Sequence, residues 1–406
     1  MIVVVCVGSA VDQPIVTTMG GLALVLMVIA RLWNRVSLEN VAYTRNISSD
    51  RLFLDDEFTL TLTIENRKPV PLPWLRSKDF LPTGLEVLDA DVRPIVYIRA
   101  AELIITTSLA WYERVHIKYR VKAVRRGFYQ LGPATIHSGD IFGLYSSRLS
   151  HLTMDSVLVY PRIVPMHDFF LPSARPIGDA KTTTPYIDDP SRVKSVRDYR
   201  LSDSMRAIDW KSTARRQQLT VRTYDPSASH FAVLIVDMMT TEHPWEGYEP
   251  ALLERVATGA ASIATRSVQI GYRTGLITNA VPLSRISRSV LSADSTPEHL
   301  KSILEILGMA RPLVTQKLPD LVQSEHAIIP RGATIVVISS LFTTAVKNMT
   351  EDLAHQGHPT VAIYVGSKAQ PVMSHRVEIR DMATSFNDDD SLFFESNHNQ
   401  REQNFG

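Results

Sequence analysis

Between Val196 and Tyr224 the chain sets Arg197, Arg200, Arg206, Lys211, Arg215, Arg216 and Arg222 around Asp198, Asp203 and Asp209, with Tyr199 and Trp210 between them. From Arg192 to Arg222 the chain holds nine Lys or Arg against three Asp, a net of +6 over 31 residues in a chain of overall charge +1. Three kinds of chemistry fit these residue types. Cations interleaved with rings can grip a nucleic-acid backbone and stack on bases. The same alternation can build an internal lattice, with guanidinium groups forked onto carboxylates and laid over rings. It can also form a docking surface for another protein. The interleaved aspartates would repel phosphates, so the lattice is the first expectation and the docking surface the second. Nucleic acid is not expected as a partner.

Asp237 closes an apolar run, Phe231 to Val236, and opens Asp237-Met238-Met239-Thr240-Thr241. A carboxylate and hydroxyls on a strand-to-helix loop can hold Mg²⁺, a hard cation that takes oxygen ligands and keeps several waters. The spacing resembles the D-x-S-x-S metal-ion-dependent adhesion site of von Willebrand factor A domains. Asp237 and Thr241 match its first and third ligand positions. Met239 occupies the middle position and ligates Mg²⁺ poorly, and Ser340 stands near where a further aspartate is usual. The expectation is therefore a degenerate metal site, in which Asp237 caps the following loop.

Other chemistry finds little support. Neither G-x-x-x-x-G-K-[ST] nor G-x-G-x-x-G occurs, which argues against an ATPase or a dinucleotide enzyme. G-x-S-x-G and H-E-x-x-H are also missing, and no nucleophile–base pair stands out. The twelve histidines are scattered; His355 and His358 are spaced as on a helix, but Gly357 suggests that the pair straddles a helix end. The chain is read as non-enzymatic.

The elements that must position these residues follow from patterning. At 406 residues, 45% hydrophobic and 21% charged, the chain can bury two cores. Its single cysteine, Cys6, excludes an intramolecular disulfide and a cysteine-based zinc site. Ile15 to Trp33 is apolar with one charge, Arg31, and is about one bilayer span long. The apolar stretch Ile2 to Val11 is too short to span alone, and Asp12-Gln13-Pro14 reads as a turn. A membrane hairpin with a short first arm and an uncleaved single anchor both fit. Arg31 and Arg35 flank the exit of the span, and the positive-inside bias therefore places the rest of the chain in the cytoplasm.

From about Val41 to Tyr160 short alternating runs, such as Phe58 to Ile64, predict an antiparallel β-sandwich, with further strands at Leu103–Leu109, Val115–Val121 and Val157–Tyr160. Strand and helix then alternate: strands at Phe231–Val236, Arg273–Ile277, Thr334–Ser339 and Thr360–Val365, helices at Pro250–Arg266, Pro297–Leu307 and Thr343–His355. The near-continuously apolar strands predict a parallel sheet covered on both faces, with ligands gathering at strand ends near Asp237 and Ser339-Ser340. The expected organisation is an anchor (1–36), a sandwich (41–165), a connector with the charged segment (166–229), an α/β domain (230–380) and a polar, disordered tail (381–406).

The charged segment resembles the signature of the bacterial domain-of-unknown-function 58 family, roughly R-x-Y-x-x-G-D-x-x-R-x-I-D-W-K-x-x-A-R followed by L-x-V-R. Arg197, Tyr199, Asp203, Arg206, Ile208, Asp209, Trp210, Lys211, Ala214, Arg215, Leu219, Val221 and Arg222 fall in register, while Ser202 replaces the usual glycine. Residues 126–133 (RGFYQLGP), 140–144 (DIFGL, with Ile141 for proline) and Val159-Tyr160-Pro161 match further family elements. The resemblance implies a short membrane hairpin, a β-sandwich and a von Willebrand factor A-like, Rossmann-like α/β domain with a degraded metal site. It also implies work with a MoxR-type AAA+ ATPase in assembling or maturing other proteins. The function expected is thus a membrane-anchored adaptor at the inner face of the bacterial cell membrane. The alternative is a metal-dependent protein-ligand receptor using Asp237 and Thr241.

Overall fold

A computed structural model of the chain describes residues 14–95, 100–165, 193–199, 205, 208–224, 231–281, 289–314, 316–367 and 371–382. The short first apolar arm, most of the expected connector, Asp203, Arg206 and the polar tail lie outside the described residues. Two compact units make up the chain. The first takes in the residues up to Val164 together with Lys301–Arg311 and a short stretch from Val281; the second takes the remainder.

The first unit opens with helix α1 (Pro14–Ser37), which starts on a proline, the residue best suited to a first helical turn. Its 24 residues span about 36 Å, against about 30 Å of bilayer hydrocarbon. With a mean hydropathy of 2.1 it is long and apolar enough to cross a membrane. Ile15, Met19, Leu22, Val25 and Leu32 stand exposed along it. Its far end is capped: the buried Lys68 donates from Nζ to the carbonyls of Ser37 at 2.6 Å and Glu39 at 2.8 Å. A cation there satisfies orphan carbonyls and meets the negative end of the helix dipole.

Twelve strands follow: β1 (Val41–Ile47), β2 (Arg51–Phe53), β3 (Glu57–Asn66), β4 (Leu72–Pro82), β5 (Leu85–Val87), β6 (Arg93–Ile95), β7 (Ala100–Leu109), β8 (Arg114–Ala123), β9 (Gly127–Leu131), β10 (Ala134–Gly139), β11 (Ser146–His151) and β12 (Asp155–Tyr160). They form sheets ordered β1-β3-β8-β5, β11-β10-β4-β7-β6 and β2-β12-β9, antiparallel except for the β2–β12 pair. The alternation in β3 turns Phe58, Leu60, Leu62 and Ile64 inward, where they join Leu75, Leu103, Ile105 and Ile136 in one core. Each such side chain contributes about 1.5–3 kcal/mol of burial. The expected strands at 58–64, 103–109, 115–121 and 157–160 lie within β3, β7, β8 and β12.

A buried polar knot stitches this core. Arg45 forks onto Asp79 (Nε–Oδ2 3.0 Å, Nη2–Oδ1 2.7 Å) and bonds Asp155 and the Leu131 carbonyl through Nη1. The Tyr43 hydroxyl donates to Asp79 at 2.7 Å. Burial, then the Asp79 charge, pushes the Tyr43 phenol well above its ordinary range.

In the second unit, β13 (Val193–Asp198) pairs antiparallel with β14 (Thr220–Tyr224), and helix α2 (Trp210–Arg216) lies between them in sequence. Six strands then form one sheet: β15 (Phe231–Val236), β16 (Arg273–Thr278), β17 (Val290–Asp294), β18 (Thr334–Ser339), β19 (Thr360–Tyr364) and β20 (Val377–Asp381). Helices α3 (Pro250–Gln269), α4 (Pro297–Met309), α5 (Leu318–Ser324) and α6 (Thr344–His355) connect them. The order is β17-β16-β15-β18-β19-β20, parallel except for the β17 edge. Val233, Ile235, Ile335, Val337 and Ala362 meet Leu318 and Leu321 of α5 and Val346, Met349 and Leu353 of α6 on one face. On the other face lies α3, whose Gly259 sits where an added Cβ would be 3.7 Å from Val365 and 4.0 Å from Ile338.

Helix α4 ends in the stretch Lys301–Arg311 that belongs to the first unit. There the buried Arg126 of the RGFYQLGP motif donates from Nη1 to the carbonyls of Leu307 at 2.7 Å and Ala310 at 3.1 Å.

Candidate functional site

The chain leaves β15 for β16 on one side and later returns to place β18 on the other, so the order reverses at β15. Loops leaving two neighbouring parallel strands in opposite directions open a crevice at their carboxyl ends, the usual ligand position in such sheets. Asp237 ends β15, Asn279 follows β16, and Ser339-Ser340 end β18.

Asp237 is buried and its carboxylate is engaged from within. Its Oδ1 accepts from the Met239 amide at 3.1 Å and from Asn279 Nδ2 at 2.8 Å, while Oδ2 lies 3.3 Å from the Ser339 hydroxyl. Asn279 also accepts the Met238 amide at 2.8 Å. Burial pushes the Asp237 carboxyl up to about 6, although the bonds from Met239, Asn279 and Ser339 favour its charged form. The bond to Met239 is the loop cap expected from sequence.

Thr241 points its hydroxyl at the carbonyls of His243, at 3.2 Å, and Gly247, at 2.9 Å. Thr240 accepts the Glu249 amide at 2.9 Å. These hydroxyls brace the loop from Thr240 to Glu249, and a 3₁₀ turn at Pro244–Glu246 adds a reciprocal cap between His243 and Glu246. The loop presents Trp245, 80% exposed, stacked on His243 with 4.4 Å between ring centroids. The same loop borders a cleft of about 390 Å³ lined by Thr240, Glu242, Glu246, Glu249, Ser340 and Leu341 among others. Three glutamates and no lysine or arginine occur from Thr240 to Glu249, so the rim is acidic. Among the described residues, no group of three or more His, Cys, Asp or Glu is arranged to hold a metal ion.

Of the charged segment, residues 193–199, 205 and 208–224 are described. Asp209 is the N-cap of α2, its Oδ1 accepting the amides of Lys211 and Ser212 at 3.1 Å each. Trp210 begins the helix and is exposed, as are Lys211 and Arg215. Ile208, Thr220 and Val221 take the buried positions. The Tyr199 amide bonds the Leu219 carbonyl at 2.8 Å, and Arg197 and Arg222 lie on the paired strands. The His355–His358 pair does straddle a helix end: α6 stops at His355, Gly357 has φ of 90°, and His358 is buried against the Ala333 carbonyl.

Asn279 escaped the sequence reading because it lies 42 residues from its partner. Its signal was an asparagine directly after an apolar strand, GLITN, at the same sheet end as Asp237.

Residues 195–386 match the family model described as protein of unknown function DUF58. The uncharacterized protein YeaD of Bacillus subtilis (strain 168) is 24% identical over 275 residues, covering 67% of this chain and 63% of YeaD. Among solved structures, a fragment of native alpha-2-macroglobulin from Escherichia coli matches at 21% identity with a TM-score of 0.23, covering 30% of this chain and 17% of that one. A cohesin module from a Clostridium perfringens family 33 glycoside hydrolase matches at 16% identity and a TM-score of 0.21, covering 30% and 95%.

Proposed function

We propose, from the premise that this chain belongs to the DUF58 family through residues 195–386, that it is a membrane-anchored, non-enzymatic adaptor whose α/β domain docks a partner protein at the strand-end cleft. The observation that carries this reading is the braced loop from Thr240 to Glu249, which exposes Trp245 and lends Thr240, Glu242, Glu246 and Glu249 to the lining of the cleft. An exposed tryptophan on a pre-formed loop resembles the aromatic anchors that dominate protein interfaces. The glutamates around it favour a partner face bearing lysine or arginine, which can also lie over the indole ring. The sheet order, with its antiparallel edge, is compatible with a von Willebrand factor A-like domain, and the family resemblance points to a MoxR-type AAA+ ATPase as the partner. Helix α1 would hold the adaptor in the bacterial cell membrane with its domains on the cytoplasmic side.

This reading assigns no metal to the cleft. The Asp237 carboxylate is committed to Met239, Asn279 and Ser339, Met239 stands in the middle position, and Thr241 is spent on loop carbonyls. The hydroxyls of the cleft are likewise turned to backbone groups, which suits a binding surface better than a nucleophile.

Binding of the full chain in nanodiscs to a nucleotide-trapped MoxR-type ATPase tests the proposal. Trp245→Ala is expected to weaken binding by about 30-fold, the loss of one interface hot spot, with the melting temperature unchanged. Titration with Mg²⁺ is expected to release no heat. Undiminished binding by the variant would remove the cleft from the docking role. No binding by either form would remove the ATPase as partner.

A further inference from the structure

The tip of the β10–β11 hairpin, Asp140 to Tyr145, is built in an unusual way for a surface turn. At its base Asp140 is buried, and its carboxylate accepts three backbone amides: Phe142 at 2.9 Å, Leu144 at 3.3 Å and Tyr145 at 2.6 Å. The Trp74 indole donates to the Asp140 carbonyl at 3.2 Å. Gly143 supplies the left-handed conformation at the apex, φ 70°. This rigid base turns Ile141, Phe142 and Leu144 outward, 59%, 54% and 56% exposed. A turn that only reversed the chain would carry polar residues at those positions. Here a buried carboxylate is used to hold three large apolar side chains in water.

The location explains the composition. The Arg31 guanidinium lies 6.0 Å from the Tyr145 ring centroid, and the Ser147 hydroxyl lies 3.1 Å from Asn34 Oδ1. Moving from Ser147 to Tyr145 therefore follows α1 from Asn34 back to Arg31, towards its apolar stretch. The tip continues in that direction, so it stands beside α1 at or inside the level of Arg31, the last charge-bearing turn of the span. Long cationic side chains at a span's end sit at the headgroups, and aromatic rings collect at the same depth. Near the helix end that Lys68 caps, Trp111 and Tyr112 are both 68% exposed, and the Tyr112 amide bonds the Lys68 carbonyl at 3.2 Å.

We infer that the Asp140–Tyr145 turn is a second membrane contact, which inserts Ile141, Phe142 and Leu144 into the interfacial layer of the bilayer beside α1. The inference rests on the reading of α1 as a membrane span. Its role is orientational: a single helix leaves a soluble domain free to swing, whereas a helix plus an inserted tip fixes the sandwich against the lipid surface. The occupant is lipid because the exposed apolar tip is continuous with an exposed apolar helix and because Arg31 marks the headgroup level between them.

Site-specific fluorescence tests this in the full chain. Cys6→Ser removes the single native thiol, and Phe142→Cys, Val25→Cys or Leu152→Cys then carries a small fluorophore. Leu152 follows the far end of the same hairpin and is equally apolar and exposed, so it serves as the internal control. The proteins are reconstituted in phosphatidylethanolamine–phosphatidylglycerol vesicles with brominated acyl chains. The expected result is quenching by brominated lipid at Val25 and Phe142, and quenching only by aqueous iodide at Leu152. A lipid-quenched Val25 with an iodide-quenched Phe142 would overturn the inference while leaving the span intact. An unquenched Val25 would overturn the span and the inference together. Protection of Phe142 from both quenchers would assign the tip to a protein contact instead. Ile141→Cys repeats the measurement should Phe142→Cys fail to fold.

Discussion

Replacing Asp237 by asparagine tests the account of the strand-end site most directly. The carboxyl is buried and titrates near 6, against an ordinary value of 3.8. The folded state thus holds the proton more tightly than the unfolded chain does. Stability from this group is fully present below pH 3.8 and is lost as pH rises through about 6. The gap of just over two pH units corresponds to about 3 kcal/mol of native-state cost at pH 8. Asparagine keeps the Oδ1 atom that Met239 and Asn279 use, and its amide nitrogen faces the Ser339 oxygen. Imperfect geometry there costs about 1 kcal/mol. Asp237→Asn should therefore be less stable than wild type by up to about 1 kcal/mol at pH 4 and below, and exceed it by about 2 kcal/mol at pH 8. For a unit of this size that is about 4–8 °C in melting temperature. Urea unfolding of the two proteins, followed across pH 4–8, measures the difference directly, and subtraction cancels all other titrating groups. A difference that stays flat with pH, or an asparagine variant less stable at pH 8, would refute the reasoning.

Two further substitutions probe other parts of the structure. Asp79→Ala leaves the Arg45 guanidinium and the Tyr43 hydroxyl buried without their main acceptor, so the first unit should lose about 3–5 kcal/mol, read as a lower urea midpoint. Gly366→Ala sets a Cβ against the Ser340 carbonyl at the floor of the cleft, which should cost about 1–3 kcal/mol and weaken partner binding along with stability, in contrast to Trp245→Ala.

The parts of the fold legible in sequence are those where one local pattern decides the outcome. Alternation through Phe58, Leu60, Leu62 and Ile64 marked β3 because one face is buried, and the unbroken run in Thr334–Ser339 marked β18 because both are. The edge strands β17 (VLSAD) and β20 (VEIRD) carry neither pattern, since a half-exposed edge tolerates charge, and both went unread. Helix α5 is seven residues long, too short to show a helical period. At the site, Asp237 was legible as the end of an apolar run, whereas its partner Asn279 depends on strand pairing. The charged segment was legible as a unit but not in its detail: Asp209 acts as an N-cap, a role set by its extended backbone and the Lys211 and Ser212 amides it accepts and not by the alternation of charges.

The reach of Arg126 to the end of α4 bears on the order in which the protein can be made. The first unit is not finished when its last strand leaves the ribosome, because Lys301–Arg311 belongs to it and is translated roughly 150 residues later. At about 5–20 residues per second, that is a wait of about 7–30 s. During that interval the Arg126 guanidinium lacks the carbonyls of Leu307 and Ala310. A nascent chain would hold an incomplete sandwich throughout, open to any chaperone or protease that meets it. A chain truncated anywhere before Arg311 would carry that defect permanently, so nonsense mutations in the first part of the α/β half should be felt in the sandwich.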